Sequence, residues 1–334
     1  MAIELPLIHF ETLTDRPRVF RITQDLISAA KTRSRMEIPT SFGEDLKDLS
    51  PLSQAVGLVT HNDVLLHPNF PLDTFASRAP HLRWVHVTGA GIEPLLPLNW
   101  LPPRAVLTNN SGIHVDKIRE SAAMMLLMLN AHVPAIVANQ RKALWQPIFS
   151  SSIMGRTVLI IGVGDMGGAV AQAARQLGLN VLGVRRSGAP HPHVQEMFRP
   201  TQLDTVLPRA DFVVLSVPLT KATTGLLNRD RLMLMKPGAS LINIGRAGSL
   251  DHDALIDSLD ERRLSGAILD VFPSEPLVSS SPLWQAQNLI LMQHVTSDDE
   301  DQYLPKTFDL VFKNVQRLMT GKRLLNVVDP EIEY

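Results

Sequence analysis

The sequence predicts an α/β chain whose larger part is a parallel, doubly wound sheet. Three observations carry this expectation. From Thr157 onward, short apolar runs alternate with helical segments: TVLIIG, DMGGAVAQAARQLG, NVLGVR, DFVVLSVP, NRDRLMLMKPG, SLINIG, DHDALIDSLDERRLSG, AILDVF and LILMQ. Strands that alternate with helices pair in parallel, because each return passes over a face of the sheet. The first of these strands runs directly into Gly162-Val163-Gly164-Asp165-Met166-Gly167, which opens the first helix. Finally, at about 100–200 residues per domain, a chain of 334 residues has room for two domains or three.

The first third is organised differently. LPLIHF, AVGLVTHND, LRWVHVTGAG and AVLTNNSG are apolar runs that end in turn residues, as buried strands do. His114 to His132 then predicts one long helix, since IRESAAMMLLMLNAH lacks Gly and Pro and is rich in Ala, Leu and Met. It is apolar nearly all round, so burial is expected. Residues 147–152 predict a loop, and SGAPHPH another. Tyr303 to Thr320 predicts a final helix, with Gly321 after it, folding back on the first third.

Composition narrows the function. The 32 basic and 33 acidic residues nearly cancel, with no block of like charge, which argues against nucleic acid as a partner. The chain has no cysteine. Disulfides, thiolate zinc sites, iron–sulfur clusters and cysteine nucleophiles are thereby excluded, and a reducing cytoplasm fits. Glu4 and the missing basic n-region argue against a secretory signal. The longest apolar run, Ala122 to Leu129, is far short of the roughly 20 residues that span a bilayer. His191 and His193 flank Pro192 with no third ligand in evidence, so no metal is expected.

Gly162, Gly164 and Gly167, with Asp165 and Met166 between them, point to dinucleotide binding. The first glycine makes the turn, the second admits a pyrophosphate, and the third lets helix and strand pack closely. The phosphates then meet the free N–H groups of a helix N-terminus. An acid at the end of the second strand selects NAD. Here that strand ends in Val184-Arg185-Arg186-Ser187. Two guanidiniums suit a 2′-phosphate, so NADPH is expected, with NADH as the weaker alternative.

Asn243-Ile244-Gly245-Arg246, LDVFPSEPL with Glu275, and Gln293-His294 nineteen positions later together resemble the D-isomer-specific 2-hydroxyacid dehydrogenases. NQRKALWQP is similar to the glyoxylate/hydroxypyruvate reductase A branch. The resemblance runs from about Leu82 to the C-terminus. It implies two Rossmann-like domains with the active site in the cleft between them. Residues 1–110 with 296–334 would form a discontinuous, flavodoxin-like substrate domain, and 111–295 the NAD(P)-binding domain. It also implies a homodimer, the helix after Gly112 contributing.

The same resemblance implies roles for single residues. His294 is the proton donor, Glu275 its partner, and Arg246 the clamp on carboxylate and keto oxygen. Those types suit the chemistry: imidazole titrates near neutrality, and guanidinium is a permanently charged fork. Ala90 and Gly91, in Thr88-Gly89-Ala90-Gly91-Ile92, match the loop whose amides receive the substrate carboxylate. Asp270 matches the residue that holds the nicotinamide carboxamide, and Val217, Pro218 and Ile244 border the cofactor. Departures from the family pattern, at Gln293, Val295-Thr296-Ser297, Ala247 and Glu93, bear on the substrate more than on the reaction. The resulting expectation is an NADPH-preferring reductase of small 2-keto acids. A formate dehydrogenase would carry Gln in place of Glu275. The other rival is a non-catalytic, dinucleotide-sensing binding protein on the same scaffold.

Overall fold

The structure, a computed structural model, describes residues 5–329. In chain order it runs β1 (Ile8–Thr12), α1 (Gln24–Ser34), β2 (Thr40–Glu44), β3 (Gly57–Thr60), the short helices α2 (Asn62–Leu65) and α3 (Phe75–Arg78), β4 (Trp84–Val87) and β5 (Val106–Thr108). Next come α4 (Val115–Asn130), α5 (Val133–Arg141), β6 (Thr157–Ile161), α6 (Asp165–Gln176), β7 (Asn180–Val184), β8 (Glu196–Phe198), α7 (Leu203–Val206) and β9 (Phe212–Leu215). The rest is α8 (Arg229–Leu234), β10 (Ser240–Asn243), α9 (His252–Asp260), β11 (Gly266–Leu269), β12 (Leu289–Leu291) and α10 (Tyr303–Met319). The chain forms two compact units, Met1–Ile113 with Asp298–Tyr334, and His114–Ser297.

In the first unit the five strands lie in the order β2-β1-β3-β4-β5, all parallel. The order reverses between β1 and β3, the kind of point where open α/β sheets bind ligands. One core joins Ile8, Phe10, Ile27 and Trp84 to Phe308, Val311 and Phe312 of α10. Phe10 meets Phe308 edge-on at 5.6 Å. The C-terminal helix thus folds back on the first third, because Leu304, Phe308, Val311 and Val315 form one apolar stripe. A second core holds Leu58, Leu65, Phe75, Val85 and Val87.

In the second unit the seven strands lie in the order β12-β11-β10-β9-β6-β7-β8, again all parallel. Here the reversal falls between β6 and β9. Ile118, Met125 and Leu126 of α4 and Val170 of α6 share one core with Val158, Ile160 and Val214. Leu203, Leu232, Leu255 and Leu259, from α7 to α9, share the other with Leu159, Val213 and Leu241. Each fully buried Leu or Val contributes about 1.5–3 kcal/mol.

The long helix expected over 114–132 is α4, Val115–Asn130, and α5 follows it at a bend of 64°. His132, at φ 55°, is left-handed and breaks the ladder, and Pro134 sits in the first turn of α5, where its missing N–H costs nothing. The loop expected at 147–152 is the end of a longer irregular stretch, residues 143–152. Among the described residues no single helix is long and apolar enough to cross a membrane.

Candidate active site

Six adjacent strand ends of the second unit carry the residues singled out above. Gly162 follows β6, Arg185 follows β7, Val217 lies just beyond β9, Ile244 to Arg246 follow β10, Asp270 follows β11, and His294 lies just beyond β12. All six strands are parallel, so these residues share the carboxyl edge of the sheet, where doubly wound folds hold ligands.

The turn after β6 fits a dinucleotide pyrophosphate. Gly162 has φ 99°, and a Cβ on it would lie 2.7 Å from the Ser216 carbonyl oxygen. A Cβ on Gly167 would fall 2.0 Å from the Gly162 carbonyl oxygen, so only glycine lets α6 lie this close to β6. A Cβ on Gly164 would meet nothing within 4 Å, which leaves open space above the helix N-terminus. Gly164 is the N-cap, and no side chain caps the helix there. Asp165 is exposed beside it and Met166 half-buried. An anion can therefore take up the first amides of α6.

The other expected cofactor residues lie at this and neighbouring strand ends. Arg185 is half-buried and Arg186 exposed. His191 packs over Gly168 of α6, and burial, aided by His193 and Arg185, holds its pKa below the ordinary value. Val217 and Ile244 are buried on neighbouring strand ends. A Cβ on Gly245 would collide with the Val217 backbone at 2.7 Å, so that crossing also requires glycine. Pro218 is half-buried, and its carbonyl accepts the Thr223 hydroxyl at 2.6 Å.

His294 and Glu275 meet. His294 Nδ1 donates to Glu275 Oε2 at 2.6 Å, and Glu275 Oε1 accepts the Phe272 amide at 3.0 Å. A carboxylate can only accept, so Nδ1 carries the hydrogen of this contact. Among the described residues no hydrogen bond engages Nε2. Gln293 and His294 are both left-handed, at φ 55° and 58°. Two consecutive non-glycine residues in that region are strained, and their neighbours must hold them there.

Those neighbours are found on the following residues. Asp270 Oδ1 accepts the amides of Val295 and Thr296 at 2.9 and 3.2 Å, and Oδ2 accepts the Thr296 hydroxyl at 2.5 Å. From α4, the Ser121 hydroxyl donates to the Thr296 carbonyl at 2.7 Å. His114, the N-cap of α4, contacts the Ser297 carbonyl through Nδ1 at 3.2 Å. Sequence reading did not single out Ser121, His114 or Thr296 as supports. Their contacts span 26 to 183 positions, and no local pattern marks them.

Arg246 is half-buried at the start of a one-turn helix. Its carbonyl is held by Asn243 Nδ2 at 3.2 Å and by the Ser249 hydroxyl at 2.7 Å, and its Nη1 donates to the Gly245 carbonyl at 2.9 Å. In the first unit, Ala90 and Gly91 follow β4. Beneath them lies a buried polar network: His61 on the Thr88 hydroxyl, His86 between Thr108 and Asn110, and Tyr303 on the Thr88 carbonyl at 2.5 Å. Burial pushes His61 down to about 3 and His86 down to about 4, and it pushes the Tyr303 phenol up. Among the described residues no group of three His, Asp or Glu is placed to hold a metal.

Residues 123–296 match the family model described as D-isomer specific 2-hydroxyacid dehydrogenase, NAD binding domain. The chain is 28% identical over 268 residues to glyoxylate/hydroxypyruvate reductase B of Pectobacterium atrosepticum, covering 77% of this chain and 82% of that one. Its fold is similar to the D-isomer specific 2-hydroxyacid dehydrogenase of Xanthobacter autotrophicus Py2 solved with NADPH and MES: TM-score 0.84, 25% identity, 99% of this chain and 100% of that one. It is also similar to the NADPH-dependent glyoxylate/hydroxypyruvate reductase of Sinorhizobium meliloti solved with NADP and sulfate, at TM-score 0.78 and 26% identity over 98% and 99% of the two chains. With the glycine turn, the strand-edge array and a family match over half its length, the chain belongs to the D-isomer specific 2-hydroxyacid dehydrogenases, a family of NAD(P)-dependent oxidoreductases.

Proposed function

We propose that the protein reduces small 2-keto acids, glyoxylate and hydroxypyruvate first among them, to D-2-hydroxy acids with NADPH. The observation that carries the reading is the His294–Glu275 pair at 2.6 Å, with Nε2 left for the substrate. Glu275 holds the imidazole through Nδ1, and His294 Nε2 gives its proton to the forming alkoxide. When bound, the reduced nicotinamide supplies a hydride to the carbonyl carbon. The carbonyl π bond is replaced by one C–H and one O–H bond, the C–O single bond is kept, and His294 is left neutral. Arg246 holds the carboxylate and polarises the keto oxygen. Ala90 and Gly91 would offer amides to a substrate carboxylate, a role that suits a substrate-binding first unit. Asp270, Val217, Pro218 and Ile244 would border the nicotinamide and adenosine ends.

Arg185 and Arg186, where an acid would select NAD, support NADPH, as do the ligands of the two solved relatives. The names of the Pectobacterium and Sinorhizobium relatives support the substrate class. A cytoplasmic homodimer fits this reading, with Met124 and Leu127 of α4 and Trp145 and Phe149 beyond α5 exposed for a second copy.

The test is loss of NADPH absorbance with a panel of 2-keto acids, repeated with NADH. We expect kcat/KM to favour NADPH about ten- to a hundredfold, the worth of a charged hydrogen-bond partner. Replacing Arg185 and Arg186 by Ala should erase that margin. A preference for NADH would remove the cofactor assignment. Dinucleotide binding without turnover of any keto acid would favour the sensing protein instead.

A further inference from the structure

We propose that Asn109 and Asn62 are positioning residues that aim the amides of Gly91 and Ile92 at the substrate carboxylate. The proposal rests on the reading above, that the turn after β4 receives that carboxylate. A peptide unit is planar and trans, so its C=O and its N–H point opposite ways. Fixing one residue's carbonyl therefore fixes the direction of the next residue's amide.

In this turn every carbonyl is fixed. Thr88 is held by the Tyr303 hydroxyl at 2.5 Å and by Asn110 Nδ2. Gly89 accepts the Asn110 amide at 3.1 Å. Ala90 accepts Asn109 Nδ2 at 2.8 Å, and Gly91 accepts Asn62 Nδ2 at 2.7 Å. Among the described residues, no hydrogen bond takes up the amides of Gly89, Ala90, Gly91 or Ile92. All four carbonyls are turned to the protein and all four amides are left over. Successive free amides in a turn form a concavity that favours an anion.

Asn109 is itself locked. It is 4% exposed, its Oδ1 accepts the Ser111 amide at 3.2 Å, and its main chain exchanges two hydrogen bonds with Asn326, at 3.2 and 3.1 Å. Asn62 is different. Its Oδ1 is buried without a partner, while its Nδ2 serves Gly91. Only an amide NH₂ can face a carbonyl, so turning the side chain over would break the contact. A buried unpaired acceptor is destabilising. Asn62 therefore sits there at a cost to its own hydrogen bonding, and what that arrangement secures is the orientation of the Gly91–Ile92 peptide.

The experiment uses the full chain loaded with NADP⁺. Oxalate, a dicarboxylate with no carbonyl to reduce, is titrated by calorimetry, and turnover is followed with glyoxylate. Asn109→Ala and Asn62→Ala should each weaken oxalate binding and raise the glyoxylate KM about tenfold. They should leave kcat and the NADPH Kd nearly unchanged. Asn109→Gln, which keeps a donor on a longer stem, should recover part of the affinity. If the wild type turns over glyoxylate while both alanine variants keep its KM and its oxalate Kd, the positioning role is wrong and the reductase reading stands. If the wild type neither binds oxalate nor consumes a keto acid, the carboxylate reading falls and this proposal with it. A joint loss of kcat, NADPH affinity and Tm in Asn109→Ala, with no rescue by Gln, would show a general structural role and overturn the proposal.

Discussion

The Asp270 carboxylate is bound to Thr296 twice, through the amide at 3.2 Å and through the hydroxyl at 2.5 Å, two residues beyond His294. With the Val295 amide on the same carboxylate, the chain leaving His294 is held at three donors. Asp270 is 1% exposed, so no water replaces those bonds if they are lost. Asp270→Ala should lower stability by about 2–3 kcal/mol, as when buried partners of a charged group are stranded. It should also lower kcat more than NADPH affinity, because it frees the segment that aims the imidazole. Urea unfolding and a kcat/Kd comparison check both. A variant with normal kcat would mean that His294 is held from elsewhere.

His294→Ala should slow glyoxylate reduction about 10²–10⁴-fold, the usual worth of a positioned general acid. Fluorescence titration should still show NADPH binding, since His294 lies far along the sheet edge from the glycine turn. Retention of most of the activity would hand the proton to another group.

The two glycines of the turn after β6 should separate fold from ligand. Gly167→Ala puts a Cβ 2.0 Å from the Gly162 carbonyl oxygen, so the backbone must move and Tm should fall by several degrees. Gly164→Ala meets no protein atom within 4 Å. It should leave Tm nearly unchanged and weaken NADPH binding by more than about tenfold, since a methyl group would occupy the space the pyrophosphate needs. Equal effects of the two changes on Tm would contradict the open cradle.

Acid should destabilise the first unit. His61 and His86 are held neutral in the fold by burial, at about 3 and about 4 against an ordinary 6.5. The unfolded chain takes up protons below 6.5 that the native state refuses. Their contribution is thus complete above pH 6.5 and is lost as pH falls toward 4. Where both histidines differ fully between states, the slope is about 2.7 kcal/mol per pH unit. Chemical denaturation at a series of pH values reads it directly, and a flat midpoint between pH 6.5 and 5 would refute it.

The second unit was the more legible in the sequence, for a physical reason. Strands such as Thr157–Ile161 and Phe212–Leu215 are buried on both faces, so they stand out as unbroken apolar runs. Strands β2 and β8 did not stand out. TSFGE lies at the sheet edge, half-exposed, and its Gly43 is required only because a Cβ there would strike the Glu11 carboxylate. Residues 196–198 form a three-residue edge strand. Helix α1 buries only Ile27 and Ala30, too few for a stripe. Arg246, Glu275 and His294 were legible through the family resemblance of the segments that carry them. The devices that orient them were not. Asp270 to Thr296, Ser121 to Thr296, and Asn109 to Ala90 are contacts between distant positions made by polar residues that look ordinary along the chain.

The shared core of β1 and α10 has a consequence for synthesis on the ribosome. Phe10 and Ile8 wait for Phe308 and Phe312, which emerge after the whole of residues 114–297 has been made. At about 5–20 residues per second, the roughly 300 residues from Phe10 to Phe308 take on the order of fifteen to sixty seconds. Residues 114–297 leave the ribosome before β1 can meet α10. During that interval the apolar side chains of β1 lack the α10 face that covers them.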